Sequence, residues 1–426
     1  MVDVAKVRMF GQNIGTFVWD DSYRVARFEY DNDFVGKGIE PSPIMMPVQQ
    51  GRIYSFGSLN WDTFNGLPGM LADSLPDTYG RALFDQWLTL TGRTTSNPVE
   101  SLCFLGQRCM GALEFEPATG PSSDANMKFE IDTLIDVARE ALSKKQDFGV
   151  NLDVDRKAAI AEILRLGTSA GGQRAKAIIA YNKETGEVRS GQISAPEGFD
   201  YYLIKLDGVT AEAGFKETEN FGRLEYSFSE LVKNCGIDMT ECSLIEENGR
   251  AHFLTKRFDR ENGRKIHMQT LCGMAHYDFR LKNGHSYEQA FNVMRRLRLP
   301  YSQAQEMFRR IVFNVIVRNQ DDHTKNISFL MDSSGQWSLS PAYDMGFAYN
   351  PLGAWTATHQ MSINGKFDNI TRADLLSLAN ANNIKNASEI IDQVCETTAG
   401  WPELAKNCGV PQKMIDGIVP HMLLSI

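Results

Sequence analysis

The chain of 426 residues lacks the long apolar runs that membrane proteins need. No stretch approaches the ~20 consecutive apolar residues of a spanning helix. The first residues, MVDVAKVRMFGQ, also lack the apolar core of a secretory signal. The seven cysteines form no Cys-x-x-Cys pair and leave one over. This pattern favours free thiols over a disulfide framework or a zinc site, so we expect a cytoplasmic protein with no membrane partner.

An excess of positive charge is also missing, because 53 acidic residues face 44 basic ones and the formal net charge is −9. Binding to nucleic acid depends mainly on neutralising phosphates, so this chain is not expected to bind DNA on its own. A local basic cluster is interpreted as a solvated helix face: Arg295, Arg296, Arg298, Arg309 and Arg310. The sequence also lacks the standard phosphate-loop motifs GxxxxGK[ST] and GxGxxG. It lacks the GxSxG serine elbow too, and this second absence argues against a serine hydrolase.

The apolar content of 42% is ordinary for a globular chain. The order of the predicted segments indicates an α+β protein. Residues 1–116 mix short apolar runs with glycines and predict a mixed module. A stretch rich in Pro, Gly and Ser predicts a linker, followed by a helix, over 117–150. Residues 151–260 predict a small lobe rich in strands, and residues 261–426 predict a mainly helical lobe.

One predicted helix leads directly into an unusual polar loop. Apolar residues recur at a spacing of three to four from Ala304 to Ile316, and Ser302 with Gln305 predicts a capping box at the helix start. The polar stretch VRNQDDHTKN, 317–326, follows this buried helix. NISFLMD and QWSLS then flank a turn, which predicts a hairpin that leads into SPAYDM and Asp344.

The loop and the hairpin together contain the residue types that phosphoryl transfer requires. Asp321 and Asn326 are separated by the spacing Asp-x-x-x-x-Asn, which suits a carboxylate facing a substrate hydroxyl and an amide facing a metal. Asp344 can supply a second metal ligand, and Lys325 can neutralise the transferring phosphate. The alternative is a polar turn with Asx capping. The order of helix, loop, hairpin and Asp favours a kinase.

Two further cationic positions precede this loop. Gly171 and Gly172 form either a plain turn or a loop whose backbone approaches phosphates, and Lys176 follows closely enough to reach them. Lys205 lies inside the predicted strand YYLIKLD, before a predicted helix that contains Glu225. Glu225 is either the ion-pair partner of Lys205 or an exposed helix residue. His276 and His323 are interpreted as hydrogen-bonding residues that shape the fold rather than metal ligands.

Several of these motifs resemble the HipA-like serine/threonine kinases, the toxins of bacterial type II toxin–antitoxin modules. The resemblance rests on TSAGGQRAK, YYLIKLD, KRFDR, FNVIVRNQDDHTKN and SPAYDM. The segments FEYDNDFV, GLPGMLADSLPD and FLGQRCMGALEFEP resemble the family's N-terminal region, so nearly the whole chain is covered. The resemblance implies a bilobal kinase-like fold with an N-terminal mixed α/β module and a mainly helical C-terminal lobe.

The resemblance also implies a role for each matching residue. Asp321 would be the catalytic base, Asn326 and Asp344 would bind Mg²⁺, and Lys205 would contact the phosphates of ATP. Autophosphorylation of Ser169 would eject the glycine loop and stop the activity. The other nucleotide-binding residues would form the phosphate loop (Gly171, Gly172, Gln173, Arg174, Ala175, Lys176), the adenine hinge (Lys256, Arg257, Phe258) and the lining of the nucleotide (His323, Lys325, Asn326, Tyr343, Asp344).

The partners that the resemblance implies are a helix-turn-helix antitoxin of the HipB kind and operator DNA, bound mainly through that antitoxin. The substrate would be a protein, such as a translation factor or an aminoacyl-tRNA synthetase. Two other functions stay open. A small-molecule kinase could use the same Asp-x(4)-Asn loop, and a non-catalytic corepressor could act only as the partner of the antitoxin.

Overall fold

The computed structural model describes residues 2–76, 78–93, 95–120, 131, 135, 175–191, 195–209, 220–261 and 263–426. Five residues predicted to bind or regulate nucleotide lie outside the described residues: Ser169, Gly171, Gly172, Gln173 and Arg174. So does most of the segment predicted as linker and helix over 117–150. None of the helices in the described part of the chain combines the length and the hydropathy that spanning a bilayer requires.

The first part of the chain forms a sheet with four helices. Its elements are β1 Val4–Met9, β2 Gln12–Asp20, β3 Val25–Tyr30, β4 Ile53–Tyr54, α1 Trp61–Phe64, α2 Gly69–Ala72, α3 Thr78–Leu90, α4 Pro98–Leu105 and β5 Leu113–Glu116. The strands pair antiparallel in the order β4-β3-β2-β1-β5. Alternate strand residues such as Val7, Phe17 and Phe28 are fully buried, as expected for a sheet with one covered face.

A second five-stranded sheet forms the small lobe. Its elements are β6 Lys176–Tyr181, β7 Val188–Ser190, β8 Asp200–Lys205, α5 Phe221–Asn234, β9 Cys242–Glu247 and β10 Arg250–Lys256. The strand order is β7-β6-β8-β10-β9, with antiparallel neighbours throughout. Helix α5 lies close against β10 because Gly222 has no side chain, and a Cβ atom there would lie 1.8 Å from the Ala251 carbonyl oxygen.

The remaining residues form the predicted, mainly helical lobe. Its elements are β11 Arg260–Glu261, β12 Arg264–Lys265, β13 His267–Thr270, α6 Leu271–Ala275, β14 His285–Ser286, α7 Tyr287–Arg296, α8 Tyr301–Val317, β15 Ser328–Met331, β16 Trp337–Leu339, β17 Met361–Ser362, α9 Arg372–Ala381, α10 Ala387–Ala399, α11 Trp401–Asn407 and α12 Gln412–Ile418. The predicted hairpin is β15–β16, and β13 extends it to a three-stranded sheet. The mixture of sheets and helices confirms the α+β class.

The capping box predicted at Ser302 and Gln305 is wrong. Helix α8 begins at Tyr301, two residues earlier than an N-cap at Ser302 would place it, and its actual N-cap, Pro300, makes no side-chain hydrogen bond. Proline holds φ near −65° and prepares the chain for a helix at the next residue, so Ser302 falls inside the first turn and is exposed. Capping boxes occur instead at Ser286 in front of α7 and at Thr371 in front of α9.

Two hydrophobic cores support these elements. The first joins the N-terminal sheet to the small lobe, since Phe17 belongs to the same buried cluster as Ile179, Ile204 and Leu254. The second lies among α7–α12 and includes the inner face of α5. The small lobe thus packs on the first core and the helical lobe on the second, and the candidate site described below lies where these two lobes meet.

Candidate active site

Asp322 anchors the polar loop, residues 317–326, to the interior of the protein. The spacing Asp-x-x-x-x-Asn did not single out this residue. The Asp322 carboxylate is buried, accepts hydrogen bonds from the Tyr287 hydroxyl at 2.7 Å and the Gln360 backbone N–H at 2.7 Å, and contacts His359 Nδ1 at 2.8 Å. Both of its oxygens are thus engaged inside the protein. Asp322 fixes the loop and is not accessible to a substrate.

Asp321 has the opposite environment, although it is the preceding residue. Its side chain is 51% exposed, and its carboxylate lies 3.9 Å from His323 Nε2. Loss of solvent raises the pKa of Asp321, the charge of His323 opposes this rise, and the nearby carboxylate of Asp344 adds to it. The Asn326 side chain donates to the Asp321 carbonyl oxygen at 2.8 Å, which ties the two ends of the Asp-x(4)-Asn loop together.

The β15–β16 hairpin returns the chain to this loop. The Tyr343 hydroxyl donates to the Lys325 carbonyl oxygen at 2.6 Å and also pairs with the Ser328 hydroxyl. Asp344 follows with a left-handed φ of 56° and an exposed carboxylate. The hairpin thus brings Tyr343 and Asp344 beside the loop that contains Asn326.

The donor atoms beside the hairpin fit a magnesium ion. Asn326 donates through Nδ2, so its Oδ1 remains available, and Asp344 uses Oδ1 for an ion pair and leaves Oδ2 without a hydrogen bond to any described residue. Amide and carboxylate oxygens are the ligands that Mg²⁺ prefers. Asn326 and Asp344 are the residues that would hold this metal.

Lys205 forms the ionic centre of the site. Its Nζ lies 2.6 Å from Asp344 Oδ1 and 3.0 Å from Glu225 Oε2. Burial opposes the positive charge of Lys205, but Asp344 and Glu225 outweigh this effect and raise its pKa above the ordinary value. Lys205 in turn lowers the pKa of Asp344 to about 2. Lys205 and Asp344 therefore both stay charged at neutral pH, and Glu225 is an ion-pair partner rather than a free helix residue.

Glu225 reaches Lys205 because helix α5 is fixed at its N-terminus. Buried Asp207 accepts hydrogen bonds from the backbone N–H groups of Asn220 at 2.9 Å and Phe221 at 3.1 Å. A carboxylate there satisfies free donors and interacts favourably with the helix dipole. Asp207 follows β8 by two residues, so strand and helix are locked together. No motif in the sequence marks Asp207; only its place just after a strand could have suggested it.

Lys176 belongs to the sheet rather than to a loop, and Ala175 lies directly before the strand. Ala175 is buried, and Lys176 is the buried first residue of β6, directly opposite Lys205 on β8. Lys176 also lowers the pKa of Asp344, after the larger effects of Lys205 and burial. Lys176 thus lies near the ionic centre, but strand β6 has already begun there. Its preceding glycines lie outside the described residues.

The predicted hinge connects β10 to the helical lobe. The backbone N–H of Lys256 donates to Glu241 and that of Arg257 to Tyr201, each at 2.8 Å. The backbone of Phe258 makes no hydrogen bond to another described residue, and its ring lies 5.7 Å from the Tyr343 ring. Among these three residues, Phe258 has the free backbone groups that a nucleobase requires.

The remaining predicted side chains surround the same loop. Lys325 Nζ lies 4.9 Å from the centre of the Phe279 ring, and that ring also meets His323 edge-on at 5.4 Å. His276 lies elsewhere, where it accepts a hydrogen bond from the Gly69 backbone at 3.0 Å, in keeping with the structural role predicted for it. Two of the predicted residues turn their side chains elsewhere, since Arg257 pairs with buried Asp259 and Lys256 Nζ pairs with Asp200 at 2.8 Å.

Comparison with known protein families finds a match for each of two regions of the chain. Residues 5–116 match the HipA N-terminal domain, and residues 168–401 match the HipA-like C-terminal domain. The chain belongs to the HipA family. A HipA from Shewanella oneidensis, solved with HipB and operator DNA, superimposes with a TM-score of 0.67 over 98% of this chain and 94% of that chain, at 17% identity. This similarity confirms the predicted HipA-like fold.

The curated relatives match only part of the chain. A Haemophilus influenzae protein is 29% identical over 136 residues, which is 28% of this chain and 39% of that protein. A Sinorhizobium fredii protein is 27% identical over 218 residues, which is 46% of this chain and 52% of that protein. Both are provisionally named kinases. The chain thus spans about half the length of these relatives or less.

Proposed function

We propose that this HipA-family chain is a serine/threonine protein kinase that uses Mg-ATP. The observation that supports the proposal is the Lys205 ion pair with Asp344 and Glu225, at 2.6 Å and 3.0 Å, beside the accessible carboxylate of Asp321. In this proposal Lys205 is the cation, Asn326 and Asp344 are the metal ligands and Asp321 is the proton acceptor that phosphoryl transfer needs.

Each group has one task in the proposed reaction. Asp321 accepts the proton of a serine or threonine hydroxyl as the hydroxyl oxygen bonds to the γ-phosphorus and ADP leaves. Lys205 contacts the phosphates, Lys325 neutralises charge on the transferred group, and the Phe258 backbone receives the adenine. Asn326 and Asp344 would hold magnesium, which would supply further neutralisation of the phosphate oxygens.

The proposal extends to regulation and partners. Phosphorylation of Ser169 would add roughly −1.5 to −2 charge next to the phosphate loop, which would repel ATP and stop the activity. The Shewanella HipA was solved with HipB and operator DNA. By analogy, we propose that this chain is the toxin of a toxin–antitoxin pair and binds a HipB-like helix-turn-helix antitoxin. With a net charge of −9, it would reach operator DNA mainly through that antitoxin.

Labelled ATP tests the proposed activity directly. The purified wild-type chain and the Asp321→Asn variant are each incubated with γ-labelled Mg-ATP and a cell lysate, and labelled products are separated. We expect protein bands labelled on serine or threonine with the wild type only. Asp332→Asn, a change in the exposed hairpin turn, is the matched control and should label as the wild type does.

Two outcomes would favour other functions. Labelled metabolites without labelled protein would indicate a small-molecule kinase. No binding of Mg-ATP in a calorimeter would indicate a non-catalytic corepressor. If protein labelling occurs, mass spectrometry of the bands identifies the substrate and tests the expectation of a translation factor or an aminoacyl-tRNA synthetase.

A further inference from the structure

Two arginines and one aspartate form a buried ionic cluster directly beside the hinge. Asp259 is fully buried and accepts hydrogen bonds from Arg257 Nε at 2.8 Å and Arg257 Nη2 at 2.6 Å. Arg260 Nη1 approaches the same carboxylate at 2.9 Å. Although burial alone would raise the pKa of Asp259, the two arginines hold it below the ordinary value. We call Arg257, Asp259 and Arg260 the hinge cluster.

The hinge cluster is completed by the N-terminal module. The Gly111 backbone N–H donates to Asp259 at 2.6 Å, and Arg260 donates to the carbonyl oxygens of Gly111 at 3.0 Å and Cys109 at 3.2 Å. Gly111 has a φ of 74°, and a Cβ atom there would lie 2.8 Å from the Met268 nitrogen. Only glycine satisfies both conditions without strain. The loop before β5 is therefore fitted closely against the hinge.

A second contact fixes the same loop to the hairpin that follows the hinge. Lys265 Nζ donates to the Gln107 carbonyl oxygen at 2.7 Å and pairs with Glu114 at 2.7 Å. Arg260 and Lys265 face each other in the β11–β12 pair. Both of these cationic residues thus bind the N-terminal module across more than 140 residues of sequence.

Phe258 lies between two residues whose positions this cluster fixes. On one side, Arg257 bonds through its backbone to Tyr201 and through its side chain to Asp259. On the other side, Asp259 bonds to Gly111. The backbone of Phe258 itself has no hydrogen bond to a described residue. Its orientation therefore depends on the hinge cluster.

We propose that loop 107–111 of the N-terminal module is part of the nucleotide site, with Asp259 and Arg260 as positioning residues that set the Phe258 backbone for the base of ATP. This inference rests on the proposed kinase function and deepens it. The N-terminal module is then required for nucleotide affinity rather than only for binding a partner. Preorganised donors bind a ligand more tightly because no ordering cost remains.

The test compares variants in the full chain. Arg260→Met removes the bonds to Cys109 and Gly111 but leaves Arg257 to pair with Asp259, and Lys265→Met is a milder change at the partly exposed neighbouring contact. Arg264→Met, an exposed arginine on the same hairpin, is the control. For each variant we measure the Kd of Mg-ATP by calorimetry, the KM for ATP, kcat at saturating ATP, and the thermal midpoint.

A positioning role predicts a change in nucleotide affinity without a matching change in turnover. We expect Arg260→Met to raise Kd and KM for ATP about tenfold and Lys265→Met about threefold, with kcat within about twofold of the wild type. Arg264→Met should match the wild type. If Arg260→Met and Lys265→Met both fold and both keep the wild-type Kd for Mg-ATP, the positioning role is overturned while the proposed kinase function stands. A wild type that binds no Mg-ATP would overturn the proposed kinase function instead.

Discussion

At the scale of single residues, the site depends on two adjacent aspartates with opposite tasks. Sequence spacing predicts Asp321 as the functional one because Asn326 follows at the right distance, but nothing in the string DDH tells what its neighbour does. The partners of Asp322 lie 35 to 38 residues away, at Tyr287, His359 and Gln360. Such long-range contacts belong to the tertiary fold, so local pattern could not reveal them.

Replacing each aspartate by asparagine should separate the two tasks. Asp321→Asn removes the proton acceptor and should lower kcat by about 10²- to 10⁴-fold while the free energy of unfolding stays nearly unchanged. Asp322→Asn disturbs a buried, fully bonded carboxylate and should lower the free energy of unfolding by roughly 1–3 kcal/mol. Urea denaturation and steady-state kinetics measure both quantities. Equal stability losses in the two variants would contradict the assignment.

The pH dependence of turnover should depend on His323. Asp321 must be ionised to accept a proton, so activity is present above its pKa and is lost as the pH falls through that value. Its pKa is raised by loss of solvent, so this acid limb lies above the ordinary value for aspartate. The charge of His323 opposes the rise, so His323→Gln should raise the pKa further and move the acid limb to higher pH.

Profiles of kcat against pH at saturating ATP measure this limb for the wild type and for His323→Gln. His421→Gln, at an exposed histidine near the end of the chain, is the control and should leave the limb in place. An acid limb that stays fixed or moves to lower pH in His323→Gln would show that another group limits the reaction.

At the scale of elements, the sequence predicts that a helix is present more reliably than it predicts the residue at which the helix begins. The 3–4 spacing from Ala304 to Ile316 correctly predicts helix α8, because a helix with one buried face repeats apolar residues every three to four positions along its length. Its start was misplaced because Ser302 and Gln305 match a capping box by chance. The functional capping box, Ser286 with Gln289, lies in front of a helix that the sequence did not single out.

Two serine-to-alanine changes should show which cap is used. Ser286 accepts a hydrogen bond from the Gln289 backbone at 3.3 Å, and its own N–H donates to the Gln289 side chain at 2.9 Å. Ser286→Ala should therefore lower the free energy of unfolding by about 1 kcal/mol. Ser302→Ala lies in the first turn of α8 without a capping bond and should change it by less than about 0.5 kcal/mol. Chemical denaturation compares the two, and a larger loss at Ser302 would refute the observed helix start.

At the scale of the whole molecule, the resemblance predicts the lobes but not how the N-terminal module is attached. The N-terminal module contacts both the hinge and the helical lobe at the site. The loop at Gly111 meets the hinge, while Asp73 accepts hydrogen bonds from the Thr270 backbone at 2.7 Å and from its hydroxyl, at the start of α6. The Leu271 backbone, in α6, donates to Ile327, just after the polar loop. Charges and glycines at contacts between segments have no periodicity, so sequence patterns do not predict them.

The shared core makes a prediction about cooperativity. Ile204 on β8 is fully buried in the cluster that also contains Phe17 of the N-terminal sheet, whereas Ile391 on α10 is fully buried in the other cluster. Each Ile→Ala change removes buried methyl groups and should cost about 2–5 kcal/mol. If the first core unfolds as one unit, Ile204→Ala should lower the amide hydrogen-exchange protection of β1–β3 as much as that of β8.

Ile391→Ala is the matched control, since it removes the same atoms from an equally buried position in the helical lobe. It should lower protection in α8 and α10 while β1–β3 keep most of theirs. Hydrogen exchange followed by mass spectrometry of peptides from each element distinguishes the two patterns. If Ile204→Ala weakened only the small lobe, the N-terminal sheet would be an independent unit, and its contact with the hinge would be a surface contact rather than part of one core.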